Sequence, residues 1–210
     1  MLEHNRKFID VMKDIFSVSD KLGLKSFIWG GIAVDILNGS FTREHGDLDC
    51  FTENLDENIT ELINRYETLG YQTQYLPDFW MLTIKKGDAL ATFNSIRNVD
   101  GIAHWYHAGP RGTVFFPYDW MDKEPHDFYG VKAYTFGIEM AYTLKNNVRL
   151  ISPEWKMREK DKADIAILDQ IIINHGVNRE ELHKNVWSHN PYWYAKGYED
   201  YFFPITLTAP

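Results

Sequence analysis

A chain of 210 residues is long enough for one sizeable core, and 44% hydrophobic with 15% aromatic residues is the balance of a globular protein, not of a disordered one. Thirty acidic against 22 basic residues give a formal charge of −8, which argues against a surface that gathers nucleic-acid phosphates and suits a small-molecule acceptor. The single cysteine, Cys50, excludes an internal disulfide, no run approaches the ~20 apolar residues of a membrane helix, and the start is amphipathic, unlike a secretory signal; a cytoplasmic protein is expected.

Residues 4–22 carry Phe8, Val11, Met12, Ile15, Phe16 and Leu22 near helical spacing, with Gly23 as the stop. Ser26–Trp29 predicts a short strand running into Gly30-Gly31, and Ile32–Leu37 a helix ending before Asn38-Gly39. A second strand is expected over Leu48–Thr52 and a helix over Glu57–Leu69, closed by Gly70. Tyr71–Tyr75, Trp80–Lys85 and Ala89–Ile96 read as strands, the last two joined by a Lys86-Gly87-Asp88 turn. Residues 97–130 are loop-rich, and both short strands and an extended substrate-side loop fit them. Val131–Phe136 predicts a strand, Gly137–Leu144 a helix, and Glu159–His175 a longer helix with Ala163, Ile167 and Ile171 toward the core.

From Val186 the tail is aromatic, with Trp187, Tyr192, Trp193, Tyr194, Tyr198, Tyr201, Phe202 and Phe203. Core packing, contact within a homo-oligomer and stacking on a base or sugar are all open for it. These elements compose an α+β fold: a small mixed β-sheet flanked by helices, followed by a helical and aromatic-rich C-terminal part.

The chemistry concentrates between Phe27 and Phe51. Asp47 and Asp49 are two apart on a strand, so their carboxylates converge on one face and offer hard oxygen ligands to magnesium or manganese. Gly30-Gly31 stands between a strand and a helix, where missing side chains let a triphosphate approach backbone N–H groups and the positive end of the helix dipole. A tight turn and a solvated strand edge account for either motif alone; their succession is what nucleotidyl transfer requires.

The run GGIAVDILNGSFTREHGDLDC resembles the signature of the aminoglycoside and lincosamide adenylyltransferases, within the DNA polymerase beta-like nucleotidyltransferase superfamily. The glycine pair, Asp35, Gly39, Thr42-Arg43-x-His45 and Asp47-Leu48-Asp49 carry the likeness. It implies a catalytic domain over residues 1–136 with a helical region over 137–210 packed on it. It also implies a nucleoside triphosphate as donor, with ATP expected, and transfer of the monophosphate to a hydroxyl of a small acceptor. Asp47 and Asp49 would bind metal and serve catalysis, Gly30 and Gly31 would meet phosphate, and Arg43 and His45 would orient or neutralise the same site. Asp35 equally suits a loop brace, and His45 a loop hydrogen bond.

Farther on, Glu139, Lys145, Ser152-Pro153-Glu154 and Arg158-x-Lys160-Asp161-x-x-Asp164 loosely resemble the family's second half, where Lys145 and Lys160 would lie near the nucleotide. Solvent-exposed helix charges explain the same pattern, with Lys160 and Asp164 as an i,i+4 pair. One position departs from the family. A third carboxylate, completing the metal site or acting as general base, is expected where this chain has Thr92. Asp88 or Asp100 is a possible substitute, although both have the character of turn residues; the alternative is a catalytically impaired nucleotide-binding or regulatory module of the same fold.

Overall fold

The structure, a computed structural model, describes residues 3–107, 112–146, 156–182, 187–189 and 203–204. Helix α1, Arg6–Leu22, turns Phe8, Met12 and Ile15 inward and stops at Gly23, whose left-handed backbone (φ 66°) returns its N–H to the last turn. β1, Ser26–Trp29, passes directly into α2, Gly30–Asn38, so this helix starts on the glycine pair itself, two residues before the expected position. β2 covers Leu48–Glu53, α3 Ile59–Thr68, β3 Gln72–Leu76, β4 Met81–Lys86 and β5 Ala89–Val99.

Most of the aromatic stretch after residue 97 is strand: β6 spans Ile102–His107, β7 Gly112–Pro117 and β8 His126–Phe128. β9, Val131–Ala133, pairs with β8 as a separate hairpin and is shorter than expected. Residues 134–136 instead lie along β1: Ile28 N–H donates to Tyr134 O and Phe136 N–H to Ile28 O, which covers the edge of the sheet. α4, Gly137–Asn146, α5, Glu159–His175, and the short α6, Arg179–Leu182, follow. Of the aromatic tail, β10, Trp187–His189, pairs with β7, and β11, Phe203–Pro204, pairs with β10; Tyr192, Trp193, Tyr194, Tyr198, Tyr201 and Phe202 lie outside the described residues.

The main sheet runs β1-β2-β5-β6-β7-β10-β11, with the β3–β4 hairpin joined to β5. β2 and β5 are parallel and the other strand pairs antiparallel, the mixed sheet anticipated from the sequence. β5 is long enough to carry two partners on one edge, β4 along its first half and β6 along its second. α1 covers one face, where Leu48, Cys50 and Phe93 are buried and the hydroxyls of Ser19, Ser26 and Thr52 form a chain of hydrogen bonds of 2.7 and 2.8 Å. On the other face Trp29 stacks on Phe51 (centroids 5.1 Å apart), with Trp105 edge-on to both. α2, α4 and α5 pack together beside β1 and put a second layer next to the start of β2.

Candidate active site

The change from strand to helix at Trp29-Gly30 needs two glycines for different reasons. Gly30 has φ +74°, and a Cβ there would stand 2.7 Å from Asp49 Oδ2. At Gly31 a Cβ would fall 2.1 Å from Arg43 Nη2 and 2.9 Å from His45 Cε1. The residue before the helix, Trp29, is extended and gives no side-chain cap, so the first-turn amides of α2 have no capping side chain at the cleft.

That cleft, of about 430 Å³, is bounded by Trp29, Gly30, Gly31, the loop 43–47, Asp49, Phe136 and Leu144, with Lys145, Arg158, Lys160 and Asp161 opposite. Asp49 pairs in register with Trp29 on β1, while Asp47 is exposed just ahead of β2. Burial pushes the Asp49 carboxyl up to about 7, Asp47 repels its charge further, and Lys145, Lys160 and Arg158 pull in the opposite direction. Asp49 is packed deep in the cleft but keeps part of its surface open to it.

Two repelling carboxylates at the floor of a cleft are a donor set that a divalent cation would relieve. Among the described residues no three His, Cys, Asp or Glu side chains converge as a ready cage. The pair therefore suits magnesium, which binds through one or two carboxylates and completes its shell with water and substrate phosphate oxygens.

A continuous polar network holds the loop that leads into Asp47. Asp35, almost fully buried on α2, accepts from Thr42 N–H (3.1 Å) and Oγ1 (2.6 Å), and from His45 Nε2 (2.5 Å). Arg43 Nη1 donates to His45 Nδ1 at 3.0 Å, so the ring proton sits on Nε2 and points at Asp35. Asn5 clamps the same loop, donating to Arg43 O and accepting from His45 N–H. Asp35 and His45 thus form a loop brace.

The network continues into the C-terminal helices. Arg43 Nε and Nη2 reach Asp164 at 3.0 Å each, and Lys145 Nζ donates to the same carboxylate at 2.7 Å. Asp161, three residues earlier, takes Arg158 Nε at 2.7 Å and Nη2 at 2.9 Å. Burial opposes ionisation of Asp161, but the Arg158 hydrogen bonds and the Lys145 charge outweigh it and bring the carboxyl to about 2. Asp164 is likewise held below the usual carboxylate range against its burial, by Arg43 and Lys145.

The explanation of these charges as a solvated helix face is therefore corrected for Asp161 and Asp164, each 1% exposed, and Asp164 pairs with Arg43 and Lys145 in place of Lys160. Lys160 is exposed on the cleft wall.

Thr92 on β5 lies directly across the parallel register from Asp49, half-buried. Asp88 is in the β4–β5 turn, where Lys7 Nζ donates to its carboxylate at 3.0 Å, and it is not among the cleft-lining residues. Asp100 sits in the β5–β6 turn, at the far end of β5, with φ 51°. Sequence reasoning missed Trp29 and Glu44 as cleft walls. Their signal was position alone, beside the glycine pair and as the unnamed residue of Thr42-Arg43-x-His45.

The sequence profile of the aminoglycoside-2''-adenylyltransferases matches residues 11–168. The chain belongs to this family. The matched span includes the glycine pair, Asp47, Asp49, Lys145 and Asp164, and so every group of the network described above.

Solved structures with the same fold include the antibiotic-resistance factor ANT(2'')-Ia in solution, 18% identical, with a TM-score of 0.63 over 85% of this chain and 88% of that one. The same factor in complex with adenylyl-2''-tobramycin gives a TM-score of 0.60 at 18% identity, over 84% and 92% of the two chains. The lincosamide antibiotic adenylyltransferase LnuA, lincomycin-bound, gives 0.57 at 22% identity, over 76% of this chain and 96% of that one. No curated protein sequence matches the chain. The neighbours establish an adenylyltransferase fold for this member of the family.

Proposed function

We propose that this chain is a magnesium-dependent nucleotidyltransferase that moves AMP from ATP to a hydroxyl of a small acceptor. The observation that carries it is the juxtaposition, in one cleft, of the uncapped start of α2 at Gly30-Gly31, the carboxylates of Asp47 and Asp49, and the cations Lys145, Arg158 and Lys160. The α2 amides and the cations bind the triphosphate oxygens. Asp47 and Asp49 would hold the divalent cation, which supplies neutralisation and alignment of the phosphate oxygens when bound. Arg43, fixed by Asp164, keeps the Gly31 backbone and the loop before Asp47 in place.

The acceptor hydroxyl oxygen bonds to the α-phosphorus as the bond from that phosphorus to the pyrophosphate oxygen breaks, and the hydroxyl proton is released. A small-molecule acceptor, not a nucleic acid, agrees with the net charge of −8. Incubation with ATP labelled at the α-phosphate, magnesium and an acceptor panel tests this. Labelled product is expected from the wild-type chain and not from the Asp47→Asn, Asp49→Asn variant; equal product from both overturns it.

Thr92, beside Asp49 where a general base would stand, favours a second reading: a nucleotide-binding module of this fold with little turnover. Magnesium-dependent ATP binding without transfer to any acceptor or to water would select it.

A further inference from the structure

The order of the strands gives the reaction a direction. The glycine pair leaves β1, the carboxylate pair belongs to β2, and β5, β4 and β3 follow. Lys145, Arg158 and Lys160 close the cleft on the side of α2, α4 and α5, beside β1. Displacement at a phosphorus atom runs in line, so the nucleophile enters opposite the leaving pyrophosphate. With the phosphate-binding groups gathered at the β1 side, the opposite side is the sheet face made by β5, β4 and β3.

Residues paired in register share a face. Asp49, Thr92, Thr83 and Gln74 make one row across that face. Leu90, Lys85 and Gln72 make the row on one side of it, and Asn94, Met81 and Leu76 the row on the other. Gln72, Gln74 and Lys85 are exposed, and Thr92, Thr83, Leu90 and Met81 half-exposed, so the face is open. Among the described residues β3, β4 and β5 bring no carboxylate to these rows and one cation, Lys85.

A polyamine settling here would lose water from its ammonium groups with no carboxylate to replace it, next to a like charge. Hydroxyl groups find donors and acceptors in Gln74, Thr83 and Thr92. We propose that this face of β3, β4 and β5 is the acceptor site, and that it takes a hydroxyl-rich, sugar-like molecule with at most one amine in preference to a polyamino sugar. The assignment rests on the nucleotidyl transfer proposed above. Thr92 takes no proton, so the hydroxyl proton passes to water as the new oxygen–phosphorus bond forms.

The test is calorimetric titration of the full chain, loaded with magnesium and a non-hydrolysable ATP analogue, with two probes: lincomycin, which has one amine, and tobramycin, which has several. Lincomycin is expected to bind about tenfold more tightly, with little response to added salt. Thr83→Asp is expected to strengthen tobramycin about fivefold, the equivalent of an exposed ion pair of roughly 1 kcal/mol, and to make its binding salt-sensitive. Gln74→Glu, at an exposed position, does the same if Thr83→Asp perturbs the fold. Tighter tobramycin binding to the wild-type chain, failure of both probes while the analogue is held, or no response of tobramycin to either new carboxylate overturns the acceptor assignment. Failure of the nucleotide analogue to bind overturns instead the proposed function on which it rests.

Discussion

Arg43 and Asp164, 121 positions apart in the chain, are joined by two hydrogen bonds of 3.0 Å, Nε to Oδ1 and Nη2 to Oδ2. Lys145 donates to the same carboxylate. Asp164→Asn would leave two cations facing a neutral amide in a largely buried place. A loss of roughly 3 kcal/mol is expected, read as a lower urea midpoint, with a raised KM for the nucleotide because Arg43 no longer fixes the loop before Asp47. A variant with wild-type stability and wild-type KM would show that the pair holds nothing in place.

Gly31 and Gly46 both line the cleft, yet they should tolerate alanine very differently. At Gly31 the new methyl group would collide with Arg43 Nη2 and His45 Cε1, whereas nothing lies within 4 Å of a Cβ at Gly46. Gly31→Ala is expected to destabilise the chain by about 1–3 kcal/mol and weaken nucleotide binding. Gly46→Ala should leave the melting temperature within experimental scatter, so equal effects at the two positions would contradict the packing around Arg43.

The difference between what could and could not be read from the sequence follows from how far away the partners are. α5 was legible to its end residues because its apolar spacing and Gly176 cap are local. The glycine pair and Asp47-x-Asp49 were legible because strand, turn and helix follow one another without interruption. β6 and β7 were not, because Trp105, Val114 and Phe116 are buried through pairing and stacking with distant strands, and the intervening glycines and prolines mimic a loop. Asp161 and Asp164 looked like solvent charges because Arg43 and Lys145, which neutralise Asp164, lie on other elements.

Thr92→Asp would place a third carboxylate across from Asp49. Without metal, the added repulsion should lower stability, since burial and Asp47 already oppose the charge on Asp49. With magnesium the order should reverse, the variant binding the ion more tightly than the wild-type chain by about tenfold. Thermal unfolding with and without the ion reads both effects, and a variant indifferent to magnesium would mean that position 92 does not face the metal carboxylates.

His126 donates to Asp122 at 2.9 Å, and Asp122 also accepts from Thr135 N–H and Oγ1, which ties the β8–β9 hairpin to the segment along β1. The Asp122 hydrogen bond raises the His126 pKa above its ordinary 6.5, against partial burial and helped by the Asp122 charge. A raised value means that the folded state binds the proton more tightly than the unfolded one. The contribution to stability is thus complete below about 6.5 and fades as the pH rises through the folded-state value. The urea midpoint of the wild-type chain minus that of His126→Gln should shrink from acidic to alkaline conditions; a constant difference would remove His126 from this role.

The carboxylates proposed to hold metal enter the chain early, at positions 47 and 49, but the residue that secures the loop ahead of them is Asp164. During synthesis the glycine pair, the strand and both aspartates leave the ribosome long before their anchor exists. A nascent chain that stops short of α5 carries every signature residue of the site and lacks the one tether that gives them a fixed arrangement, so competence to bind nucleotide should arrive late and abruptly, with the emergence of α5, rather than in proportion to length.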